Sequence, residues 1–191
     1  MSAPKRLLIV HHTQSGNTGR LATAVLEGAL RVSETETRLL RAFDAGTADL
    51  LACDGLLLGT PENFGYMSGA LKDFFDRTYY PCEGKLVGLP YAVFVSAGND
   101  GTGAVREIGR IANGYGWKMV AEALIVRREI TPADLERARA RRGDGGRVGD
   151  GGVLSVRGAR LRACDAAGTR SRRARRVSLR LRQSGSVFTK R

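Results

Sequence analysis

The chain has 191 residues, 42% of them hydrophobic, which is enough apolar material for one sizeable core. No run of 18 or more apolar residues occurs, and the first apolar run is too short for a signal peptide, so we expect a cytoplasmic protein without membrane insertion. Three cysteines without C-x-x-C spacing and two histidines offer no metal-ligand pattern, so no metal site is predicted.

The formal net charge of +12 arises in one part of the chain. Residues 1–140 contain 16 Lys and Arg against 16 Asp and Glu, whereas residues 141–191 contain 15 against 3. The excess charge therefore describes a basic tail and not the domain that precedes it. We predict a folded domain over 1–140 and a separate Arg/Gly-rich tail over 141–191.

In the first half of the domain, short apolar runs alternate with stretches of helical spacing. Strands are predicted over 6–11, 35–42 and 55–59, and helices over 20–32 and 49–53. The runs over 6–11 and 55–59 are apolar, which is typical of strands that are buried on both faces, whereas the two arginines within 35–42 suit a position near the edge of the sheet.

The second half continues the alternation. The sequence predicts a helix over 69–79, a strand over 91–96, a helix over 104–115 and a strand over 119–126. A last helix begins after Thr131, which can act as the N-cap because Pro follows it and an acid stands three residues on. Such alternation predicts a parallel sheet with helices on both faces, and ligands bind beyond the carboxyl ends of its strands.

The last helix loses its apolar pattern where the basic tail begins. It meets Arg141-Arg142-Gly143, and beyond this point glycine and arginine dominate without periodicity. The tail is a disordered extension, a nucleic-acid-binding arm or the product of out-of-frame translation of GC-rich coding sequence. We favour the third interpretation because the break falls abruptly inside a well-formed helix.

A polar loop with one central glycine follows the first strand, just before a helix. It contains Thr13, Ser15, Gly16, Asn17 and Thr18. Hydroxyls, amides and backbone N–H groups at a helix N-terminus can hold a phosphate without a lysine. The Walker pattern is absent, and so is G-x-G-x-x-G at this loop, which favours a monophosphate over a triphosphate or a dinucleotide.

These five residues match the phosphate loop [ST]-x-[ST]-G-N-T, so the chain resembles flavodoxins there. A second stretch, residues 59–78, resembles G-[ST]-P-x-x-[FY]-G-x-M-x-x-x-[LM]-K-x-[FL]-x-D of the flavodoxin-like NAD(P)H:quinone oxidoreductase and NADPH-dependent FMN reductase group. In that group the loop wraps the isoalloxazine ring of FMN. The resemblance implies ring contacts from Pro61, Glu62, Asn63, Phe64 and Gly65.

A third loop, residues 96–103, is similar to the family's remaining flavin-contacting loop. The resemblance implies contacts to FMN from Ser96, Gly98, Asn99 and Gly101. It also implies a flavodoxin-like three-layer α/β sandwich, with a five-stranded parallel sheet in the order 2-1-3-4-5. The family's closing helix would be truncated here after Arg139.

The function implied by the resemblance is FMN-dependent electron transfer from NADPH or NADH to a quinone or a similar acceptor. We expect no catalytic acid–base side chain, because the cofactor carries the chemistry. A homo-oligomer is compatible with the family. Two alternatives remain: a flavodoxin-type carrier that docks on redox partner proteins, and nucleic-acid binding through the arginines of 171–182. The tail lacks interleaved aromatic residues, which argues against nucleic acid as a partner.

Overall fold

A mainly parallel sheet with helices on both faces forms the domain in the computed structural model, which describes residues 3–33 and 35–141. The basic tail predicted over 141–191 lies, apart from Arg141, outside the described residues. None of the helices in the described ranges has the length and apolarity needed to cross a membrane.

Seven strands make up the sheet. They are β1 (Lys5–His11), β2 (Thr35–Arg41), β3 (Gly55–Asn63), β4 (Tyr66–Met67), β5 (Pro90–Ala97), β6 (Lys118–Met119) and β7 (Leu124–Arg127). The order is β2-β1-β3-β5, followed by β6 and β7, which both pair with β5 in parallel. The predicted order 2-1-3-4-5 is confirmed, because β6 and β7 together are the fifth parallel strand.

The strands differ from the prediction in two places. The fifth strand is interrupted between Met119 and Leu124, where only Val120 bonds back to β5 through its N–H and the Tyr91 carbonyl oxygen. The third strand is four residues longer than predicted and then folds back into β4. The sequence pattern did not predict this extension, because it contains Pro61 and polar residues, which are typical of loops.

Five helices cover the two faces. They are α1 (Asn17–Ala29), α2 (Thr47–Ala52), α3 (Gly69–Cys82), α4 (Thr102–Tyr115) and α5 (Pro132–Arg139). Along β1, Leu7 and Ile9 pack in the cluster with α1 and α5, whereas Leu8 and Val10 pack in the cluster with α2, α3 and α4. Alternate side chains of β1 are therefore buried on opposite faces of the sheet. Because both faces are covered, the strand is apolar at consecutive positions.

The start of α5 agrees with the prediction. The Asp134 N–H donates to Thr131 Oγ1 at 3.2 Å, and the Thr131 N–H donates to Asp134 Oδ2 at 3.0 Å, which completes a reciprocal cap. The Thr131 hydroxyl also donates to Asp134 Oδ2 at 2.6 Å, and the two hydrogen bonds that this carboxylate accepts from Thr131, with the nearby Arg137 guanidinium, lower the pKa of Asp134. The helix ends at Arg139 after eight residues, as the loss of apolar residues predicts.

Helices α1 and α5 cross in close contact. Ala138 is fully buried there, and Arg139 Nε donates to Glu27 Oε2 at 2.7 Å. A β-carbon added to Gly28 would overlap the carbonyl group of Arg139. The glycine therefore sets the distance of approach between the two helices, which cover the same face of the sheet.

Candidate functional site

The three motif loops meet at the carboxyl ends of β1, β3 and β5. Pro61 lies directly beside Ser96 in the pairing of β3 with β5, and the His12 N–H donates to the Gly59 carbonyl oxygen at 3.0 Å. The strands β2 and β3 lie on opposite sides of β1, so the chain connects from β1 toward one edge of the sheet and from β3 toward the other edge. Ligands of open α/β sheets bind at such a switch point.

The loop after β1 ends in the N-terminus of α1. Gly16 is the N-cap with φ +93°, a left-handed conformation that favours glycine, and no side chain caps the helix. The Gly16 N–H donates to Thr13 Oγ1 at 3.1 Å, which closes the loop on itself. The first N–H groups of a helix have no partner within it, so this uncapped end can receive an anion.

A buried hydrogen bond connects the first loop with the third. Thr18 Oγ1 and Ser96 Oγ lie 2.7 Å apart, and both residues are buried. Thr18 belongs to the first turn of α1, and Ser96 stands near the end of β5. The bond therefore fixes the N-terminus of α1 over the carboxyl end of β5.

Over residues 60–68, where the sequence predicts neither strand nor helix, the second motif forms a hairpin. Asn63 pairs with Tyr66, and the two residues between them, Phe64 and Gly65, have φ values of +51° and +72°. Positive values at both central residues define a type I′ turn, and an aromatic residue is unfavourable in that conformation. The Phe64 side chain is fully exposed at the tip.

Buried contacts hold this hairpin in place. Thr60 Oγ1 accepts a hydrogen bond from the Ser68 N–H at 2.9 Å and donates to Ser68 Oγ at 3.2 Å, where both residues are fully buried. At the tip, a β-carbon on Gly103 would overlap the carbonyl group of Gly65. The absence of a side chain at 103 lets the hairpin rest on the first turn of α4.

Glu62 links the second loop to the third. Its Oε2 accepts a hydrogen bond from the Gly101 N–H at 3.1 Å, just before α4 begins. A further bond, from Asn63 Nδ2 to Gln14 Oε1 at 3.3 Å, connects the second loop to the first. Each pair of loops is thus joined by one side-chain hydrogen bond.

A cavity of about 520 Å³ lies between the three loops. This volume is within the usual range of about 300–1,000 Å³ for sites that hold small molecules or cofactors. Its walls come from all three loops and from the end of β7. The lining residues are Gln14, Ser15, Asn17, Pro61, Glu62, Asn63, Ser96, Ala97, Gly98, Arg128 and Glu129.

Seven of the fourteen residues predicted to bind cofactor line this cavity. The other seven lie next to it in the same loops without forming its wall; they are Thr13, Gly16, Thr18, Phe64, Gly65, Asn99 and Gly101. Thr18 and Gly101 instead make the loop-to-loop bonds described above. The roles of all fourteen residues toward a ligand stay predictions.

Four lining residues were missed in the sequence, namely Gln14, Ala97, Arg128 and Glu129. Gln14 stands at the open position of the first loop's pattern, and Ala97 lies in the third loop between two residues that were predicted to contact FMN. Arg128 and Glu129 follow the fifth strand, where no motif drew attention to them. The only available signal was their place after a strand of the parallel sheet, at the edge where ligands bind.

The charges around the cavity are mixed. Hydrogen bonds to Thr102, together with the nearby Arg127 and Arg106 guanidinium groups, lower the pKa of Asp100 in the third loop. Burial, with a smaller contribution from Arg41, lowers the pKa of His12 beside the first loop. The neutral form of the His12 imidazole is therefore favoured in the folded protein.

Comparison with known proteins agrees with this geometry. Residues 33–127 match the family described as NADPH-dependent FMN reductase. The chain is 37% identical over 98 residues to a flavodoxin of Aquifex aeolicus, which covers 51% of this chain and 53% of that protein. It is 33% identical over 112 residues to an NAD(P)H dehydrogenase (quinone) of Acidithiobacillus ferrooxidans, covering 48% and 56% of the two chains.

Solved structures show the same fold. Oxidised flavodoxin 1 from Bacillus cereus superimposes with a TM-score of 0.61 at 24% identity, over 71% of this chain and 92% of that one. The flavodoxin, WrbA-like protein from Agrobacterium tumefaciens gives a TM-score of 0.59 at 25% identity, over 71% and 90%. The flavodoxin-like fold is confirmed. The chain spans about half the length of the two relatives matched by sequence.

Proposed function

We propose that this chain binds FMN and uses it as an oxidoreductase. The grounds are the flavodoxin-like fold of the domain and the resemblance of residues 33–127 to the NADPH-dependent FMN reductases. Its electrons come from NADPH or NADH, and they pass to a quinone or a similar small acceptor. The observation that carries the proposal is the uncapped N-terminus of α1 opening onto a cavity walled by the ends of β3 and β5.

The residues present suit a phosphate at the α1 end of the cavity. Ser15 and Asn17 line it with neutral donors, and the Gly16 conformation exposes the backbone N–H groups of the first helical turn. A phosphate monoester carries a charge of about −1.5 to −2 at neutral pH, which the partial positive charge of a helix N-terminus stabilises. We assign the FMN phosphate to this end.

The ring of the cofactor is assigned to the other end. There Pro61 and Asn63 from the end of β3 and Gly98 from the third loop line the cavity. The hydrogen bond between Glu62 and Gly101 connects these two loops, whose backbone groups are assigned to the polar edge of the flat ring. Phe64, fully exposed at the hairpin tip, is in a position to cover a bound ring.

The chemistry supplied by bound FMN is electron transfer between a nicotinamide nucleotide and an acceptor. The protein contributes position and electrostatics. Because reduction adds negative charge to the ring system, N–H donors of the third loop favour it and the Glu62 carboxylate opposes it. The hydrogen bond from the Gly101 N–H holds that carboxylate in place at the cavity wall.

An enzyme is favoured over a pure electron carrier by the charge of the domain. Residues 1–140 have equal numbers of basic and acidic side chains, so they present no strong net field for steering a charged partner protein. Small neutral acceptors need no such field. Docking on a redox partner protein is the second candidate, motivated by the flavodoxin relative from Aquifex aeolicus.

Two measurements on the full chain test the proposal. FMN is titrated into the purified protein and followed by absorption and by quenching of flavin fluorescence, and we expect saturation at one FMN per chain. The loaded protein is then given NADPH or NADH with benzoquinone. Turnover supports the enzyme, FMN binding without turnover supports the carrier, and absence of FMN binding contradicts both.

A cytoplasmic location and a homo-oligomer remain proposals of the same kind. Size-exclusion chromatography with light scattering, with and without FMN, measures the oligomeric state. Nucleic-acid binding would have to depend on the tail, because the excess positive charge lies there. A fluorescent oligonucleotide whose binding survives deletion of 142–191 would contradict that interpretation.

A further inference from the structure

Two charged residues after β7 form part of the cavity wall, although no motif includes them. Arg128 and Glu129 border the same space as Ser15, Asn17 and Ser96. Arg128 is exposed, and among the described residues its side chain makes neither an ion pair nor a hydrogen bond. It contrasts with Arg137 and Arg139 of α5, which are both paired with carboxylates.

The backbone holds Arg128 in an unusual conformation. Its φ is +61°, in the left-handed region that non-glycine residues seldom occupy, and its N–H donates to the Ala97 carbonyl oxygen at 2.8 Å. Such conformations persist where the surrounding structure enforces them, and they concentrate at binding sites. The bond to Ala97 attaches Arg128 to the start of the third loop.

This attachment brings Arg128 to the α1 end of the cavity. Ala97 follows Ser96, whose hydroxyl is hydrogen-bonded to Thr18 in the first turn of α1. Leu124 and Val126, at alternate positions of β7, pack in the core beneath α1 and α5. Arg128 follows the last residue of β7, and it lines the same cavity as Ser15 and Asn17 beside the start of α1.

We propose that Arg128 binds the phosphate of FMN, and that it supplies a charged contact in addition to the neutral donors of the first loop. The proposal rests on the proposed function, because it assigns a further ligand to that cofactor. A guanidinium matches the oxygens of a phosphate with two parallel N–H groups. Glu129 on the same wall opposes this charge, so the two residues need to be tested separately.

The experiment compares FMN with riboflavin, which has the same ring and ribityl chain without the phosphate. Affinities of the full chain for both are measured by fluorescence quenching for wild type and Arg128→Gln. Gln leaves the backbone cost of the positive φ nearly unchanged. We expect FMN binding to weaken about tenfold and riboflavin binding to change less than twofold. The FMN affinity of the variant is also expected to depend less steeply on KCl concentration.

Arg127→Gln is the matched control, since it removes the same charge from the neighbouring position, which does not line the cavity. We expect it to leave the ratio of the two affinities unchanged. Arg128→Lys should recover part of the lost FMN affinity, because lysine keeps the positive charge but lacks the two parallel N–H groups of the guanidinium. Glu129→Gln should bind FMN more tightly, because it removes a negative charge from the cavity wall. Melting temperatures of all variants show whether they are folded.

Three results would overturn the assignment of Arg128. The first is that Arg128→Gln weakens the binding of FMN and of riboflavin equally. The second is that Arg127→Gln loses as much FMN affinity as Arg128→Gln. The third is that Arg128→Gln keeps its FMN affinity and has a raised KM for NADPH. If the wild type binds neither flavin, the proposed function itself fails and this assignment fails with it. If the wild type binds FMN, failure of the Arg128 assignment leaves the proposed function intact.

Discussion

At the residue scale, some side chains of the cavity wall also form the hydrogen bonds that connect the loops. Glu62 lines the cavity and also accepts the Gly101 N–H, and Ser96 lines it and also bonds to Thr18. Such residues connect the loops before any ligand is present. A ligand therefore meets loops that are already in place, which reduces the entropy lost on binding.

Replacing Glu62 with Gln should raise the reduction potential of bound FMN. The amide oxygen of Gln can still accept the Gly101 hydrogen bond, but the negative charge at the cavity wall is removed. Reduction adds negative charge to the ring, so we expect an upward shift of roughly 50 mV for a charge at this range in a partly solvated site. Spectroelectrochemical titration measures the potential.

Glu83→Gln is the control for this change, because Glu83 is exposed at the end of α3 and does not line the cavity. The reduction potential of FMN bound to Glu83→Gln should equal that of FMN bound to the wild type. A potential that falls or stays constant in Glu62→Gln would contradict the place given to the ring.

At the scale of elements, the contact of α1 with α5 decides whether the short last helix stays docked. Only eight residues form α5, and an isolated helix of that length is unstable in water. Its stability must come from the cap at Thr131 and from packing of Ala138 against α1. Gly28 permits that packing because it carries no side chain.

Gly28→Ala should therefore destabilise the protein, although alanine favours a helix by about 1 kcal/mol over glycine. The added methyl group overlaps the Arg139 carbonyl, and overpacking of this kind costs about 1–3 kcal/mol. Urea unfolding measures the change in the free energy of unfolding.

Gly109→Ala in α4 is the matched control. A β-carbon at 109 meets nothing within 4 Å. This variant should gain about 0.5–1 kcal/mol from helix propensity alone. Equal stabilisation by both substitutions would show that α5 does not pack as described.

At the scale of the whole molecule, the two histidines predict how stability varies with pH. His11 is buried, and this burial lowers its pKa, with smaller contributions from Arg41 and His12; the hydrogen bond to the Leu40 carbonyl oxygen acts in the opposite direction. Below its unfolded value of about 6.5 the unfolded chain binds a proton that the folded protein does not. Stability should therefore fall from pH 7 toward pH 5.

His11→Asn should flatten this dependence by roughly 1 kcal/mol between pH 7 and pH 5, because the amide cannot take up a proton and can still donate to Leu40. Urea unfolding at pH 7, 6 and 5 measures it. His12 is less buried, although burial also lowers its pKa, so His12→Asn should give a smaller change. Identical slopes in wild type and His11→Asn would contradict the burial of that imidazole.

The sequence by itself determined the alternation of strands and helices, the glycine-bearing loop before α1 and the cap of α5. These features are local: they depend on periodicity, on the preference of Thr131 for a helix start and on the freedom of Gly16. The order of the strands followed from the resemblance, and the structure agrees with it.

Only the tertiary structure decided which loops share a wall. The break between Met119 and Leu124, the hairpin at Phe64 and the approach of Gly103 to Gly65 all depend on pairing with distant segments. Arg128 belongs to the cavity wall for the same reason, since β7 pairs with β5 and the Arg128 N–H bonds to the Ala97 carbonyl oxygen. Contacts between segments far apart in sequence leave no local pattern, and so no reading of neighbouring residues could supply them.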